Sequence, residues 1–287
     1  MRYRTIGTTR VSAIGLGGMP MSIEGRPDED RSIRTIHAAL DAGVTFIDTA
    51  DAYHLLTGET GHNERLIAKA LASYPGDISD VLVATKGGHL RPGDGSWMVD
   101  GSPAHLRQAA DASLKALGVD AIGLYQFHRP DPKVPYAESI GALKDLLDEG
   151  KIRMAGISNA SIGQIDIARQ ILGDGNLASV QNQFSPAFRS SEDELAYCAE
   201  LGIAFLPWSP LGGIGRAARL GTRHAAFGQV AEAHGVSPQQ VTLAWMLAKA
   251  PVVIPIPGAS RPESITDSAR AVDLILTPAE LARLDQS

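Results

Sequence analysis

The stretch "TFIDTADAY" (45–53) is an apolar run that ends in a carboxylate and is followed by a phenol. Phe46 and Ile47 have the aromatic and β-branched side chains that favour a buried strand, so this strand is predicted to stop at Asp48. Tyr53 lies in the loop beyond it, and the second acid, Asp51, is expected to be a solvated or turn-forming loop residue. The pattern of a short apolar run closed by a polar residue recurs along the chain, and this repetition decides the fold.

Eight apolar runs of this type alternate with helical patterns. The candidate strands are residues 13–17, 44–48, 81–86, 122–128, 152–158, 178–183, 203–209 and 252–258. Amphipathic helical patterns lie at residues 28–43, 103–118, 137–150, 191–202 and 237–250. Strands and helices in alternation favour an α/β protein, and eight such units predict a (β/α)8 TIM barrel that forms one domain over residues 1–287.

The remaining segments fit around this barrel. The stretch "RYRTIGTTRVSA" (2–13) predicts an N-terminal β-hairpin that plugs the barrel bottom. Residues 87–102 and 209–224 are predicted to be long loops, which in compact domains are usually functional. The stretch "GLGG" (15–18) does not complete a dinucleotide-binding GxGxxG motif, and no suitably spaced acid follows, so a Rossmann fold is disfavoured.

Composition excludes several classes of protein. The chain has 287 residues, 44% hydrophobic content, a formal net charge of −6 and a single cysteine. It has no basic stripe of the kind that binds nucleic acid, no apolar run of membrane-spanning length and no pair of cysteines for an internal disulfide. We therefore expect a soluble cytoplasmic protein that acts on a small molecule; the oligomeric state is left open, and a monomer is compatible with the sequence.

Polar residues stand where the candidate strands stop. They are Asp48 with Tyr53, Lys86, His128, Ser158 with Asn159, Gln181 and Trp208. Taken singly, each has a structural explanation as a turn cap, a solvated strand end or loop packing. Because the carboxyl ends of barrel strands face the active site, together they predict one mouth lined by an acid, a phenol, an amine and an imidazole.

The chemistry of these four groups assigns their roles. A phenol with an ordinary pKa of about 10 exchanges protons poorly at neutral pH, and a nearby ammonium lowers that pKa. Asp48 would keep Lys86 charged, Lys86 would act on Tyr53, and His128 would orient a polar substrate atom. The set predicts protonation of an oxygen with Tyr53 as general acid. No metal-ligand spacing and no GxSxG motif is present.

Seven motifs in one order resemble the aldo-keto reductases, including bacterial members of that family. The motifs are "GVTFIDTADAY", "VATKGG", "LYQFHRPD", "IRMAGISN", "VQNQFSP", "PWSPLGGI" and "IPIPGASRPESI". The resemblance implies an NADPH-dependent oxidoreductase that reduces an aldehyde or ketone to an alcohol, with hydride from nicotinamide C4. It implies a catalytic tetrad of Asp48, Tyr53, Lys86 and His128, in which Tyr53 is the general acid and His128 holds the carbonyl oxygen.

The same resemblance implies where the cofactor and substrate bind. The cofactor-binding residues would be Ser158, Asn159 and Gln181 at the carboxamide, Trp208 stacked on the nicotinamide, Ser209, Leu211 and Gly213 along the pyrophosphate, and Ser260, Arg261, Ser264 and Asp267 at the adenosine end. Many relatives carry an arginine where this chain has Ser264, but Arg261 still favours NADP(H) over NAD(H). Met19, Met21, His54 and Trp97 are candidate residues of the substrate pocket.

Two other functions fit parts of this pattern. A lysine at a barrel strand end forms a Schiff base in some lyases, although Asp48 would keep Lys86 charged and non-nucleophilic. Potassium-channel β subunits resemble the same family and bind NADP(H) as regulators. The intact tetrad favours turnover over this regulatory role.

Overall fold

The computed structural model describes residues 1–287 and contains eleven strands and eleven α-helices. The strands are β1 (Tyr3–Ile6), β2 (Thr9–Ser12), β3 (Leu16–Gly17), β4 (Phe46–Asp48), β5 (Leu82–Gly87), β6 (His89–Leu90), β7 (Met98–Val99), β8 (Leu124–Phe127), β9 (Ala155–Ser158), β10 (Leu177–Gln181) and β11 (Ala204–Phe205). The helices are α1 (Glu29–Asp41), α2 (His62–Ser73), α3 (Pro103–Leu117), α4 (Tyr136–Asp148), α5 (Ile162–Leu172), α6 (Glu192–Leu201), α7 (Leu220–Arg223), α8 (Ala225–His234), α9 (Pro238–Lys249), α10 (Pro262–Ala269) and α11 (Pro278–Asp285).

Seven parallel strands form the barrel wall in the order β11-β10-β9-β8-β5-β4-β3. Residues 252–258 run between the two ends of this sheet and close it: Ile254 N–H donates to Phe205 O at 2.9 Å, and Gly17 N–H donates to Pro257 O at 3.0 Å. Pro255 and Pro257 have no N–H, so this eighth segment forms only isolated bridges rather than a continuous ladder. The predicted (β/α)8 barrel is confirmed.

The N-terminal hairpin covers the bottom of the barrel. β1 and β2 pair antiparallel, and Ser12 and Thr45 exchange hydrogen bonds of 2.8 and 2.9 Å just before β4 begins, which places the hairpin at the amino ends of the strands. Ile6 and Val11 are fully buried and belong to the cluster of side chains inside the barrel. The predicted plug is therefore confirmed, since the hairpin keeps water from the interior at this end.

Helices pack around the outside of the barrel, and the largest apolar cluster lies between them and the sheet. The five helical patterns in the sequence correspond to α1, α3, α4, α6 and α9. The predicted loop 87–102 contains the small β6–β7 hairpin, and the predicted loop 209–224 contains a 3-10 turn and α7. No helix combines the length and the apolar character that crossing a bilayer requires.

Candidate active site

A cavity of about 890 Å³ opens at the carboxyl ends of the barrel strands. Asp48, Tyr53 and His128 all lie in its wall, and Lys86 is buried directly behind them with 0% of its side chain exposed. The alternation of the chain brings these residues together, because β4, β5 and β8 are neighbours in the sheet and end at the same rim. The cavity is thus built around the polar residues that stand where the strands stop.

Lys86 is held by three acceptors. Its Nζ donates to Asp48 Oδ2 at 2.7 Å, to the Thr49 carbonyl oxygen at 2.7 Å and to the Tyr53 phenol oxygen at 3.2 Å. An ammonium has three hydrogens, so all three are satisfied inside the protein. This arrangement keeps the charge of Lys86 next to the oxygen of Tyr53.

Electrostatics set the protonation states of this pair. Burial lowers the pKa of Lys86, but the Asp48 carboxylate and Tyr53 more than compensate, so the pKa of Lys86 is raised. Burial also raises the pKa of Tyr53, and the nearby Lys86 ammonium offsets this only in part. The expectation that Lys86 lowers the pKa of Tyr53 describes one of two opposing effects, and desolvation is the larger one. Tyr53 therefore carries its proton at neutral pH.

Both oxygens of Asp48 are engaged. Oδ2 accepts from Lys86, while Oδ1 accepts from Gln181 Nε2 at 2.8 Å and from Gln126 Nε2 at 3.3 Å. The sequence analysis did not identify Gln126 as a site residue. The one feature that could have indicated it is that Gln126 is a polar amide inside the apolar run of β8. These contacts fix the carboxylate against Lys86, and they give Gln181 a structural partner in addition to its place in the cavity wall.

His128 meets Tyr53 edge to face, with ring centroids 5.8 Å apart. Burial, followed by the Lys86 charge, lowers the pKa of His128 well below its usual value, so the imidazole is neutral. Its Nδ1 is buried without a partner, which leaves Nε2 as the nitrogen able to serve the cavity. In the tautomer with hydrogen on Nε2, the ring has an N–H available for a ligand beside the phenol of Tyr53.

A chain of hydrogen bonds orders the wall beyond His128. Trp208 Nε1 donates to Asn159 Oδ1 at 3.2 Å, Asn159 Nδ2 donates to Ser158 Oγ at 3.0 Å, and Ser158 Oγ donates to Gln181 O at 2.7 Å. Asn159 and Ser209 have φ values of 57° and 50°, and they are the only residues other than glycine with positive φ. Strained backbone of this kind is tolerated where the surrounding contacts impose it, as they do along this wall.

The cavity continues past Trp208 along Ser209, Leu211 and Gly213. It ends at residues 260–264, where Ser260, Arg261 and Ser264 lie in the wall and Arg261 Nε donates to Ser264 Oγ at 2.8 Å. Since Arg261 directly precedes α10, the positive end of that helix lies beside the guanidinium. This end of the cavity is suited to an anion.

Residues 13–287 match the sequence model of the Aldo/keto reductase family. The chain belongs to this family. It is 37% identical over 283 residues to the 6-dehydroglucose reductase of Novosphingobium aromaticivorans, a match that covers 94% of this chain and 90% of that protein. A glycerol dehydrogenase from Gluconobacter oxydans has a TM-score of 0.83 and 30% identity, covering 99% of this chain and 94% of its own. An aldo-keto reductase from Klebsiella pneumoniae in complex with NADPH has a TM-score of 0.80 and 29% identity, covering 100% of this chain and 95% of its own.

This aldo/keto reductase does not bring every candidate residue to the cavity. Asp267 lies outside it: its carboxylate accepts from Ser237 Oγ and from Gln240 Nε2, each at 2.6 Å, and so joins α10 to the start of α9. His54 is buried beside the cavity with Nδ1 3.0 Å from Leu56 O. The partners of Asp267 lie 30 and 27 positions away in the chain, so no sequence pattern reveals this pairing, whereas His54 contacts a carbonyl of its own loop.

The substrate side of the cavity has an apolar wall, which contains two of the three remaining candidates for the substrate pocket. Met19 and Trp97 line the cavity, whereas Met21 is buried in a separate apolar cluster. His89 and Met98 also line it and were not singled out from the sequence. In the sequence, the only feature that marked these two residues was their position in the predicted functional loop 87–102. β6 and β7 are too short to produce a recognisable strand pattern.

Asp51 lies in a turn, which is one of the two environments expected from the sequence, but it is not solvated, because only 4% of it is exposed. Its Oδ1 has no hydrogen-bond partner. Burial and the neighbouring Glu64 raise the pKa of Asp51 well above its usual value. This shift favours the protonated form of the carboxyl, which sits behind the cavity.

Proposed function

We propose that this aldo/keto reductase uses NADPH to reduce an aldehyde or ketone to an alcohol. The observation that carries the proposal is the buried Lys86, which donates to both Asp48 and Tyr53 while Tyr53 faces the cavity beside His128. A phenol that shares a hydrogen bond with a buried ammonium is suited to protonating a substrate oxygen.

The carbonyl oxygen binds between the phenol of Tyr53 and Nε2 of His128, whose rings lie 5.8 Å apart. When bound, the dihydronicotinamide would supply the hydride to the carbonyl carbon. As negative charge develops on the substrate oxygen, Tyr53 transfers its proton, and the Lys86 Nζ at 3.2 Å stabilises the phenolate that remains. Asp48 keeps Lys86 protonated throughout, because the carboxylate lies 2.7 Å from Nζ and the Lys86 side chain is fully buried.

The raised pKa of Tyr53 leaves the phenol protonated at neutral pH. A protonated phenol is the form required for reduction, whereas oxidation of the alcohol needs the phenolate. Alcohol oxidation by the same site should therefore increase as the pH rises toward the pKa of Tyr53.

The cleft from His128 to Arg261 supports the choice of cofactor. The ring of Trp208, held by Asn159, offers a flat face for the nicotinamide. Gly213, at a φ of 100°, lets the backbone approach the pyrophosphate. Arg261 and Ser264 provide charge and a hydroxyl for the 2′-phosphate of NADPH, which NADH lacks.

Replacement of Tyr53 by phenylalanine tests the proposal. Tyr53→Phe should lower kcat for aldehyde reduction by about 10²–10⁴-fold, the contribution of a general acid, and leave the Kd for NADPH nearly unchanged. The matched control is Tyr197→Phe, because the Tyr197 phenol bonds only Asp166 at the surface and its loss should not alter turnover. Wild-type turnover by Tyr53→Phe would refute the assignment.

The assay panel should include polyhydroxylated carbonyls, since the related proteins are named for 6-dehydroglucose and glycerol. NADPH binding without reduction of any member of the panel would favour the regulatory function. A covalent adduct on Lys86 after treatment with substrate and borohydride would favour the Schiff-base lyase instead. The three hydrogen bonds of Lys86 argue against that adduct, because a nucleophilic amine must be neutral and free.

A further inference from the structure

His89 is a second imidazole in the cavity wall, next to the one that the mechanism uses. Its ring centroid lies 4.7 Å from that of His128 and 4.8 Å from that of Trp97. Nδ1 of His89 is buried without a hydrogen-bond partner, so Nε2 is the nitrogen able to contact a ligand. No step of carbonyl reduction requires this side chain.

Several contacts hold the His89 ring in position. His89 pairs with Val99 in the β6–β7 hairpin, which anchors its backbone at the rim. The Trp97 ring, against which it packs, lies 4.7 Å from the guanidinium of Arg91. Arg91 in turn is 5% exposed, donates to His54 O at 2.5 Å and forms an ion pair with Glu24. His89 therefore presents its nitrogen at a preorganised place.

The charge state of His89 selects its ligand. Burial and the nearby Arg129 charge lower the pKa of His89 to about 4, so the ring is neutral near pH 7. A neutral imidazole offers either one N–H or one lone pair at Nε2, according to its tautomer. A hydroxyl group both donates and accepts, and so it satisfies Nε2 in either tautomer, whereas a carboxylate only accepts.

The spacing of the two histidines places that hydroxyl. With hydrogen bonds of about 2.8 Å, rings only 4.7 Å apart are near enough to be spanned by two ligand oxygens on adjacent carbons. We propose that His89 binds a hydroxyl on the carbon next to the substrate carbonyl and thereby selects α-hydroxy aldehydes and ketones. This assignment rests on the proposed function, since it requires the carbonyl oxygen at His128.

The surroundings of His89 make this contact selective. The wall on the hairpin side of His89 is formed by Met98, Val99 and the Trp97 ring, which are largely apolar, while Arg129 also lines the cavity. A substrate without the hydroxyl displaces water and leaves Nε2 unpaired, and an unpaired buried polar group is costly. The site therefore discriminates against the deoxy analogue.

Hydroxyacetone and 2-butanone form the test pair, because a hydroxyl in one replaces a methyl of nearly the same size in the other. The quantity to compare is the ratio of their kcat/KM values with NADPH, in the wild-type enzyme and in His89→Phe. This variant keeps an aromatic ring against Trp97. The ratio should fall about tenfold in His89→Phe, mainly through hydroxyacetone, the effect of one lost hydrogen bond with an unsatisfied partner. His234→Phe is the matched control, since His234 bonds Glu280 far from the cavity, and its ratio should equal that of the wild type.

Two amide variants locate the nitrogen and remain informative if His89→Phe does not fold. His89→Gln places an amide near Nε2 and should retain most of the preference, whereas His89→Asn places one near Nδ1 and should not. Equal losses on both ketones in His89→Phe, or equal ratios for His89→Gln and His89→Asn, would overturn the assignment and leave carbonyl reduction intact. An enzyme that reduces neither ketone nor any aldehyde would overturn the proposed function, and with it this inference.

Discussion

The pair formed by Asp48 and Lys86 makes a sharp prediction for the variant Asp48→Asn. The two side chains are 4% and 0% exposed, and Asp48 Oδ2 lies 2.7 Å from Lys86 Nζ. Removing one partner of a buried ion pair costs about 3–5 kcal/mol, because the other charge stays desolvated. Lys86 keeps two acceptors, Thr49 O and the Tyr53 phenol, so the cost should lie near the lower end, about 3 kcal/mol.

The free energy of deprotonating Lys86 sets an upper limit on this cost and makes it depend on pH. A neutral Lys86 has no buried charge, and deprotonation from an ordinary pKa of about 10.4 costs about 4.6 kcal/mol at pH 7 but only about 1.9 kcal/mol at pH 9. In Asp48→Asn the folded pKa of Lys86 falls below the unfolded value, so the variant gains stability as pH rises between the two. In the wild type that pKa is raised, and its contribution is constant below the unfolded value.

Thermal unfolding measured at pH 7 and pH 9 tests these expectations. Asp48→Asn should lower Tm by about 5 °C at pH 7 and by less at pH 9. The double variant Asp48→Asn/Lys86→Met should be more stable than Asp48→Asn, because it removes the stranded charge. The control is Glu29→Gln, which breaks the exposed pair with Lys69 and should leave Tm nearly unchanged. A Tm gap that does not narrow with pH, together with additive losses in the double variant, would refute the reasoning.

Two further predictions concern the cofactor end and a buried acid. Arg261→Ala should raise the KM for NADPH about 10–100-fold, because a charged hydrogen bond is lost, and should leave the KM for NADH unchanged. The control Arg270→Ala changes a residue outside the cavity and should alter neither KM. Equal effects of Arg261→Ala on both cofactors would argue against 2′-phosphate recognition. Burial and Glu64 raise the pKa of Asp51 in the folded protein. The stability of the wild type should therefore fall as the pH rises from the unfolded pKa of about 3.9 toward the folded pKa. Asp51→Asn should make Tm, measured from pH 4 to pH 8, fall less steeply with pH. An unchanged slope would show that Asp51 is ionised in the fold.

The barrel was accessible from sequence because its strands are buried on both faces and therefore appear as apolar runs. Residues 252–258 show the limit of this approach. Their apolar pattern predicted a strand in the right place, but Pro255 and Pro257 lack the N–H groups that a continuous ladder requires. Helices α2 and α5, which the patterns did not single out, show that packing stabilises helices whose sequence signal is weak.

The sequence alone determined that an acid, a phenol, an amine and an imidazole end neighbouring barrel strands, because periodicity and strand order are local properties of the chain. What surrounds each group depends on the tertiary structure. Burial raises the pKa of Tyr53 despite the adjacent ammonium. The packing of α10 against α9 pairs Asp267 with Ser237 and Gln240, so its carboxylate does not face the cavity. The fold also brings His89 to His128, although 38 residues separate them in the sequence. Desolvation and the pairing of distant side chains depend on the whole fold, so no stretch of the chain encodes them by itself.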